Sequence, residues 1–285
     1  SKPLVKGADD DVCVSPAPYL PFTDPHKSRP PGLFPLAPGD WTEQDDAFAA
    51  QMTQRDRLIA ENPSLVALAL PEAEDALAEF AALLIAHLST RPGYRRDGDA
   101  MRRPDGETVP LTPRPEALGR LTQEDWLLLQ APAPDDEAVL VAGCLCFPAH
   151  WNLPDKIGKP LTRVHDPVPD YAETLAPRVN RIFAALHTDR PLQRLNWSLA
   201  TEPRLHCPTP HERRVGETPR FLRVERQTLR RLPRTGAIVF GVKTYLTPLA
   251  DLPSDARAAL AERIAALPSD MADYKGGADY LSQVG

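Results

Sequence analysis

Apolar positions recur at helical spacing in the first third of the chain and again near its end. Between those stretches they gather into short runs and alternating segments. Phe48, Met52, Arg55 and Ile59 fall near one face, which predicts a helix over about 43–60 with Thr42 as its cap. Leu77, Phe80, Ala81, Leu84 and Leu88 form the stripe of a second helix over about 72–88, with His87 beside it. Pro104-Asp105-Gly106-Glu107 reads as a hairpin turn. Residues 124–129 suit a strand or a short helix, and the apolar run from Ala138 to Phe147 a buried strand. A helical segment is predicted around 152–158.

Leu175, Val179, Ile182, Phe183 and Leu186 mark the buried face of a helix over about 172–187. Three strands follow, over 195–200, 221–229 and 237–246. Pro233-Arg234-Thr235-Gly236 is the hairpin turn between the last two. Ser254 is placed to cap a helix over 255–267, with Leu260, Ile264 and Leu267 inward, and a short helix lies beyond 268. Segregated antiparallel strands with covering helices predict an α+β fold. Residues 1–40 lack sustained periodicity but carry Tyr19, Leu20, Phe22, Leu33, Phe34 and Leu36. They read as an extended, proline-rich arm anchored over a domain spanning 41–285.

Composition sharpens this picture in three respects. The 33 prolines are about double the ordinary usage and are spread through connections, which predicts rigid irregular loops. A net charge of −6 argues against a nucleic-acid partner bound through broad electrostatic attraction. No run is long enough to span a membrane and no signal peptide opens the chain, so a reducing cytoplasm is the expected location. Cys144 and Cys146 form C-x-C, not a zinc pair, and are expected to be buried thiols.

Candidate chemistry centres on a few residues. His165 precedes Asp166-Pro167-Val168-Pro169, where two prolines restrict the backbone and hold the imidazole at a fixed angle. It suits either a metal ligand or a histidine hydrogen-bonded at a helix entrance. His150, His187, His206 and His211 are its competitors; the His206-Cys207…His211 spacing fits no strong zinc pattern. The 221–231 strand alternates, with Phe221, Arg223, Glu225, Gln227 and Leu229 on one side and Leu222, Val224, Arg226, Thr228 and Arg230 on the other. Neither side is purely apolar, which fits a solvated edge strand or a polar pocket wall. Tyr245 could orient a ligand or sit at a wet sheet edge. Trp151 and Trp197 are packing candidates.

Two long segments carry a family likeness: CLCFPAHWNLPDKIGKPLTRVHDPVPDY at 144–171 and FLRVERQTLRRLPRTGAIVFGVKTYLTPL at 221–249. With LPFT at 20–23 and LNW at 195–197, the chain resembles the catalytic (alpha) subunits of heme-dependent oxidative N-demethylases over residues 15–275. The resemblance implies a PAS-like antiparallel sheet that carries heme b, with its iron held by His165. It implies heme contacts from Val179, Phe183 and Trp197, and propionate contacts from Arg226 and Arg230. Glu225 would attract the protonated amine, and Tyr245 would orient oxygen or substrate. The implied reaction takes a secondary amine of the dimethylamine kind and dioxygen to a smaller amine and formaldehyde. Electrons would come from a separate flavin and iron–sulfur reductase subunit, because this chain carries no flavin or dinucleotide fingerprint and no four-cysteine cluster. A non-catalytic heme-binding PAS-like sensor or interaction module is the alternative. The arm could cover its own domain or a neighbour's, which leaves a homo-oligomer open.

Overall fold

The computed structural model describes residues 14–24, 26, 32–133, 136–164, 176–209, 217–277 and 279–281, with only the backbone described over 176–179. Its strands are β1 (Phe34–Pro35), β2 (Ala67–Ala69), β3 (Arg95–Asp97), β4 (Ala100–Arg102), β5 (Thr108–Pro110), β6 (Asp125–Gln130), β7 (Val139–Cys144), β8 (Leu192–Ala200), β9 (Phe221–Arg231) and β10 (Ile238–Pro248). Its α-helices are α1 (Phe48–Glu61), α2 (Pro63–Val66), α3 (Glu74–Leu88), α4 (Pro115–Gly119), α5 (Leu161–Val164), α6 (Ala176–Ala185), α7 (Ser254–Ala265) and α8 (Ser269–Tyr274). The main sheet is antiparallel throughout, in the order β1-β8-β9-β10-β6-β7-β2; β3, β4 and β5 form a small second sheet. The protein is therefore α+β, as its sequence pattern predicts.

The sheet has two unlike faces, because side chains alternate along a strand and cross-strand partners share a side. On the packed face lie the rows Trp197–Val224–Tyr245, Leu195–Arg226–Lys243, Thr228–Gly241–Trp126 and Arg230–Val239–Leu128. The apolar stripe of α3 covers one end of this face, with Leu77, Phe80, Leu84 and Leu88 buried against Trp126 and Leu128. Helix α7 covers the other end, with Leu260 and Ile264 against Trp197, Leu222 and Val224. Gly241 is required in the middle of β10: a Cβ there would lie 2.5 Å from Cζ3 of Trp126 and 2.7 Å from Oγ1 of Thr228.

The opposite face carries Asn196–Glu225–Thr244, Arg194–Gln227–Val242 and Leu192–Leu229–Phe240. Leu153, Leu161, Phe183 and Leu186 pack on its Leu229 end, and Phe147 and Leu205 on its Leu246 end. Between these clusters Asn196, Glu225, Gln227, Phe240 and Val242 are only half-buried. The chain between β7 and β8 contributes the cover on this side, so the face is framed at both ends and less covered at its centre. We call it the open face.

Several local expectations hold for physical reasons visible in the structure. The β9–β10 hairpin turns at Gly236, whose φ of 71° is left-handed. Glu79 of α3 clips that turn by accepting the Arg234 amide at 2.6 Å and the Thr235 amide at 2.8 Å. Gly106, φ 94°, closes the turn between β4 and β5. Of the arm, Phe22 and Leu36 are buried, β1 adds to the edge of β8, and the Ser15 amide donates to the Leu246 carbonyl at 2.9 Å.

Others are corrected. Thr42 does not cap α1, which begins only at Phe48; its hydroxyl meets Nε2 of His87 at 3.0 Å. The intervening 43–47 segment is drawn into hydrogen bonds with the sheet, described below. Ser254 is the first residue of α7, with no side-chain cap. Residues 152–158 make isolated turns around Leu153 and no regular helix. The 221–231 segment is an interior strand, flanked by β8 and β10, not a solvated edge.

Candidate functional site

Sheet geometry divides the residues singled out from the sequence. Tyr245, Arg226, Arg230 and Trp197 stand on the packed face; Glu225 stands on the open face, where Phe183 packs beside Leu229 and Ile238. A single ligand on one side of the sheet cannot touch both sets. His165 and the side chain of Val179 lie outside the described residues. Val164, the neighbour of His165 in the chain, packs against the apolar cluster of the open face.

The packed-face set is tied into a buried polar seam between the arm and the sheet. Glu43 accepts hydrogen bonds from the hydroxyls of Tyr19 and Tyr245, and its Oε1 lies 3.1 Å from Nε of Arg226. Arg226 also donates from Nε to Oε1 of Gln193 at 3.0 Å and from Nη2 to the Asp40 carbonyl, leaving Nη1 buried without a partner among the described residues. Burial, and then the Glu43 carboxylate, push the Tyr245 phenol far above its ordinary range, so it is a fixed donor and not an acid. Lys243 pairs with Asp45 at 3.0 Å. Glu124 accepts the Glu43 amide at 2.8 Å, and burial raises its carboxyl. Arg230 lies with its guanidinium 4.4 Å from the Trp41 ring centroid, and burial lowers its pKa. Trp197 packs edge-to-face on Phe22 and carries the Lys275 ammonium 4.7 Å above its ring.

The open face is built differently. The Glu225 carboxylate is 14% exposed and has donors on both oxygens. Gln227 Nε2 donates to Oε2 at 3.0 Å and Asn196 Nδ2 to the same oxygen at 3.4 Å, while Arg223 Nε sits 3.5 Å from Oε1. Arg223 spends the rest of its fork on the carbonyls of Leu205, 3.2 Å, and Phe147, 2.6 Å, so it fixes the wall as well as the charge. Beside Glu225, the hydroxyl of Thr244 is buried without a hydrogen-bond partner among the described residues. Two rows along the same face from Glu225 and Thr244, Leu229 and Phe240 join Phe183 and Trp151 in an apolar cluster.

The model of one protein family, "Haem-dependent oxidative N-demethylase, alpha subunit-like", matches residues 32–284. The chain belongs to that family. As an N-demethylase alpha-subunit-like protein it carries a family name that indicates heme dependence and a partner subunit. Among the described residues no helix is long and apolar enough to cross a membrane.

The residues of the open face fit a heme. Their apolar cluster, with Phe183, Leu229, Phe240 and Trp151, has the chemistry that a macrocycle face needs. Cys144 and Cys146 are buried, with sulfurs 3.8 Å apart at the end of β7. His206 is held by the Cys146 carbonyl at 2.7 Å, and His150 by the Thr209 carbonyl at 3.3 Å.

Sequence reasoning placed Glu225 on the same side as Arg223 and Gln227, which the ladder bears out, but passed over Asn196 and Lys275. Asn196 lies inside the LNW motif and is the direct cross-strand partner of Glu225. Its signal was the register of β8 on β9, which only the paired strands reveal. Arg55 and Asp125 were also missed as a pair: they form a fully buried ion pair at 2.7 Å. Asp125 further accepts the amides of Cys146, 2.7 Å, and Phe147, 3.0 Å, and so anchors the exit from β7.

Proposed function

We propose that the chain is the heme-binding, substrate-oxidising subunit of an amine N-demethylase, and that its site is the open face of a PAS-like sheet. The strand order β7-β6-β10-β9-β8, with a helical connection between β7 and β8, supports that architecture. One observation carries the reading: a largely buried carboxylate, Glu225, held by three neighbouring donors on a face with an apolar cluster at each end.

His165 would hold the iron of heme b, and Phe183 and Val179 are the proposed apolar contacts of the macrocycle. When bound, the heme supplies the oxygen-activating chemistry that the protein's own side chains lack. Reaction of one N-methyl group with dioxygen, two electrons and two protons yields water and a carbinolamine. Loss of formaldehyde from the carbinolamine leaves the smaller amine. A separate flavin and iron–sulfur reductase subunit is the proposed electron source, consistent with an alpha-subunit-like chain.

The protein's residues bind and orient. The Glu225 carboxylate attracts a secondary ammonium of the dimethylammonium kind, whose methyl groups would lie toward Val242, in the next row of the same face. Gln227 and Asn196 hold the carboxylate in place by donating to its Oε2.

Absorption spectra of the purified protein, oxidised and reduced, test this. The expected result is a stoichiometric Soret band that shifts on reduction and on adding dimethylammonium chloride, and that is lost in His165→Ala. No Soret band after heme addition, or an unchanged spectrum in that variant, overturns the heme site or the ligand respectively.

A further inference from the structure

Glu225 is held from behind by a chain of contacts that begins in the C-terminal segment. Lys275 follows α8, and its Nζ donates to Oδ1 of Asn196 at 3.1 Å and to the Trp197 carbonyl at 2.7 Å. Asn196 then offers Nδ2 to Oε2 of Glu225 at 3.4 Å. An ammonium has only protons to give, so it accepts no amide NH2 group as its partner. It therefore decides which end of the Asn196 amide faces which way: the oxygen toward Lys275 and the NH2 toward the carboxylate. With the amide reversed, an oxygen would face the Glu225 carboxylate and repel it.

Backbone contacts hold Lys275 in register with β8. Its carbonyl accepts the Leu199 amide at 2.8 Å. Gly276 follows at φ 73°, so close to β8 that a Cβ would lie 2.9 Å from the Leu199 carbonyl oxygen. The Gly277 amide donates to the Ala272 carbonyl at 2.8 Å and closes α8 over this contact. Lys275 reaches its two oxygens from this docked turn, with its ammonium 4.7 Å from the centroid of the Trp197 ring.

We infer that Lys275 is a positioning residue for amine binding: by fixing the Asn196 amide it orients the Glu225 carboxylate toward the substrate ammonium. The inference rests on the proposed role of Glu225 as the ammonium site. It gives the C-terminal segment, some distance along the chain from the site, a part in substrate affinity.

The test is a double-mutant cycle on the holoprotein, reading the dissociation constant of dimethylammonium chloride by calorimetry in the oxidised state, where no turnover occurs. Glu225→Gln is expected to weaken binding by about tenfold or more. Lys275→Met keeps an unbranched apolar side chain without the ammonium and is expected to weaken binding about fivefold in the wild-type background, but less than about twofold in the Glu225→Gln background. Lys275→Arg, which restores a donor, is expected to recover most of the affinity. Equal losses from Lys275→Met in both backgrounds mean a general structural role and overturn the inference. No loss from Lys275→Met beside a clear loss from Glu225→Gln overturns it while leaving the Glu225 reading intact. Unchanged binding in Glu225→Gln sinks that reading and the inference with it.

Asn196→Leu gives an independent arm if Lys275→Met folds poorly. It removes both the acceptor for Lys275 and the donor to Glu225. Dimethylammonium binding should weaken about fivefold, as in Lys275→Met, and less than about twofold in the Glu225→Gln background. Unchanged affinity overturns the inference.

Discussion

Glu225 and Tyr245 stand on opposite faces of one sheet, although they belong to adjacent, paired strands. Tyr245 sits across the ladder from Val224, one residue before Glu225, and that single step turns the two side chains apart. Tyr245 is bound to Glu43 in the seam beneath the arm, and Glu225 looks onto the open face between two apolar clusters.

Separate assays should therefore report the two residues. Tyr245→Phe removes one donor from Glu43, which keeps Tyr19 and Arg226. The expected cost is about 1–2 kcal/mol of stability, with dimethylammonium affinity changed less than about twofold. Glu225→Gln should do the reverse, weakening affinity with little effect on the urea midpoint. A loss of amine affinity in Tyr245→Phe matching that of Glu225→Gln would contradict the two-face division.

The sequence disclosed the elements and their apolar faces well, and the site only in part. The stripe of α3, the alternation of β9 and the turn at Gly236 are all set by local rules that one segment can display by itself. Arg55 was legible as lying on the core side of α1, but its partner Asp125 is 70 residues away, and a carboxylate at the start of an apolar strand gives no local sign of being an anchor. Asn196 and Lys275 were illegible for the same reason: their meaning lies in strand register and in a docked turn, both products of tertiary pairing. Arg226 and Arg230 showed as cations on one side of a strand. That their side is the packed one depends on where α3, α7 and the arm settle.

The Arg55–Asp125 pair should be costly to break from one side. Both groups are essentially unexposed, and Asp125 also holds two backbone amides at the end of β7. Asp125→Ala leaves a buried guanidinium without its counter-charge and two amides without an acceptor. The expected loss is about 3–5 kcal/mol. Urea denaturation followed by circular dichroism measures it, and a loss below about 1 kcal/mol would show that the pair is not an anchor.

Gly241→Ala should destabilise through overpacking. The added methyl would enter space held by the Trp126 ring and the Thr228 hydroxyl, and Trp126 is itself wedged against Trp41 and Phe80. A cost of about 1–3 kcal/mol is expected, with a changed tryptophan emission as the indole shifts. Unaltered emission and stability would mean that the ring has room to move.

His87 should make the fold sensitive to mild acid. Its ring lies half-buried beside Trp41, shares a hydrogen bond between Nε2 and the Thr42 hydroxyl, and has Arg91 and Arg230 as its cationic neighbours. Burial first, and then those two charges, lower its pKa from 6.5 to about 4. Above pH 6.5 the ring is neutral in both folded and unfolded chains. Between 6.5 and about 4 the unfolded chain takes up a proton that the folded one refuses, so the unfolded state is favoured as pH falls. Because the ring is only half-buried, the loss is expected to be on the order of 1 kcal/mol after allowing for solvent screening. His87→Gln retains an acceptor for Thr42 and cannot titrate. Urea midpoints at pH 7 and pH 4.5 should differ less in this variant than in the wild type, and an identical acid dependence in both would show that His87 is not the group responsible.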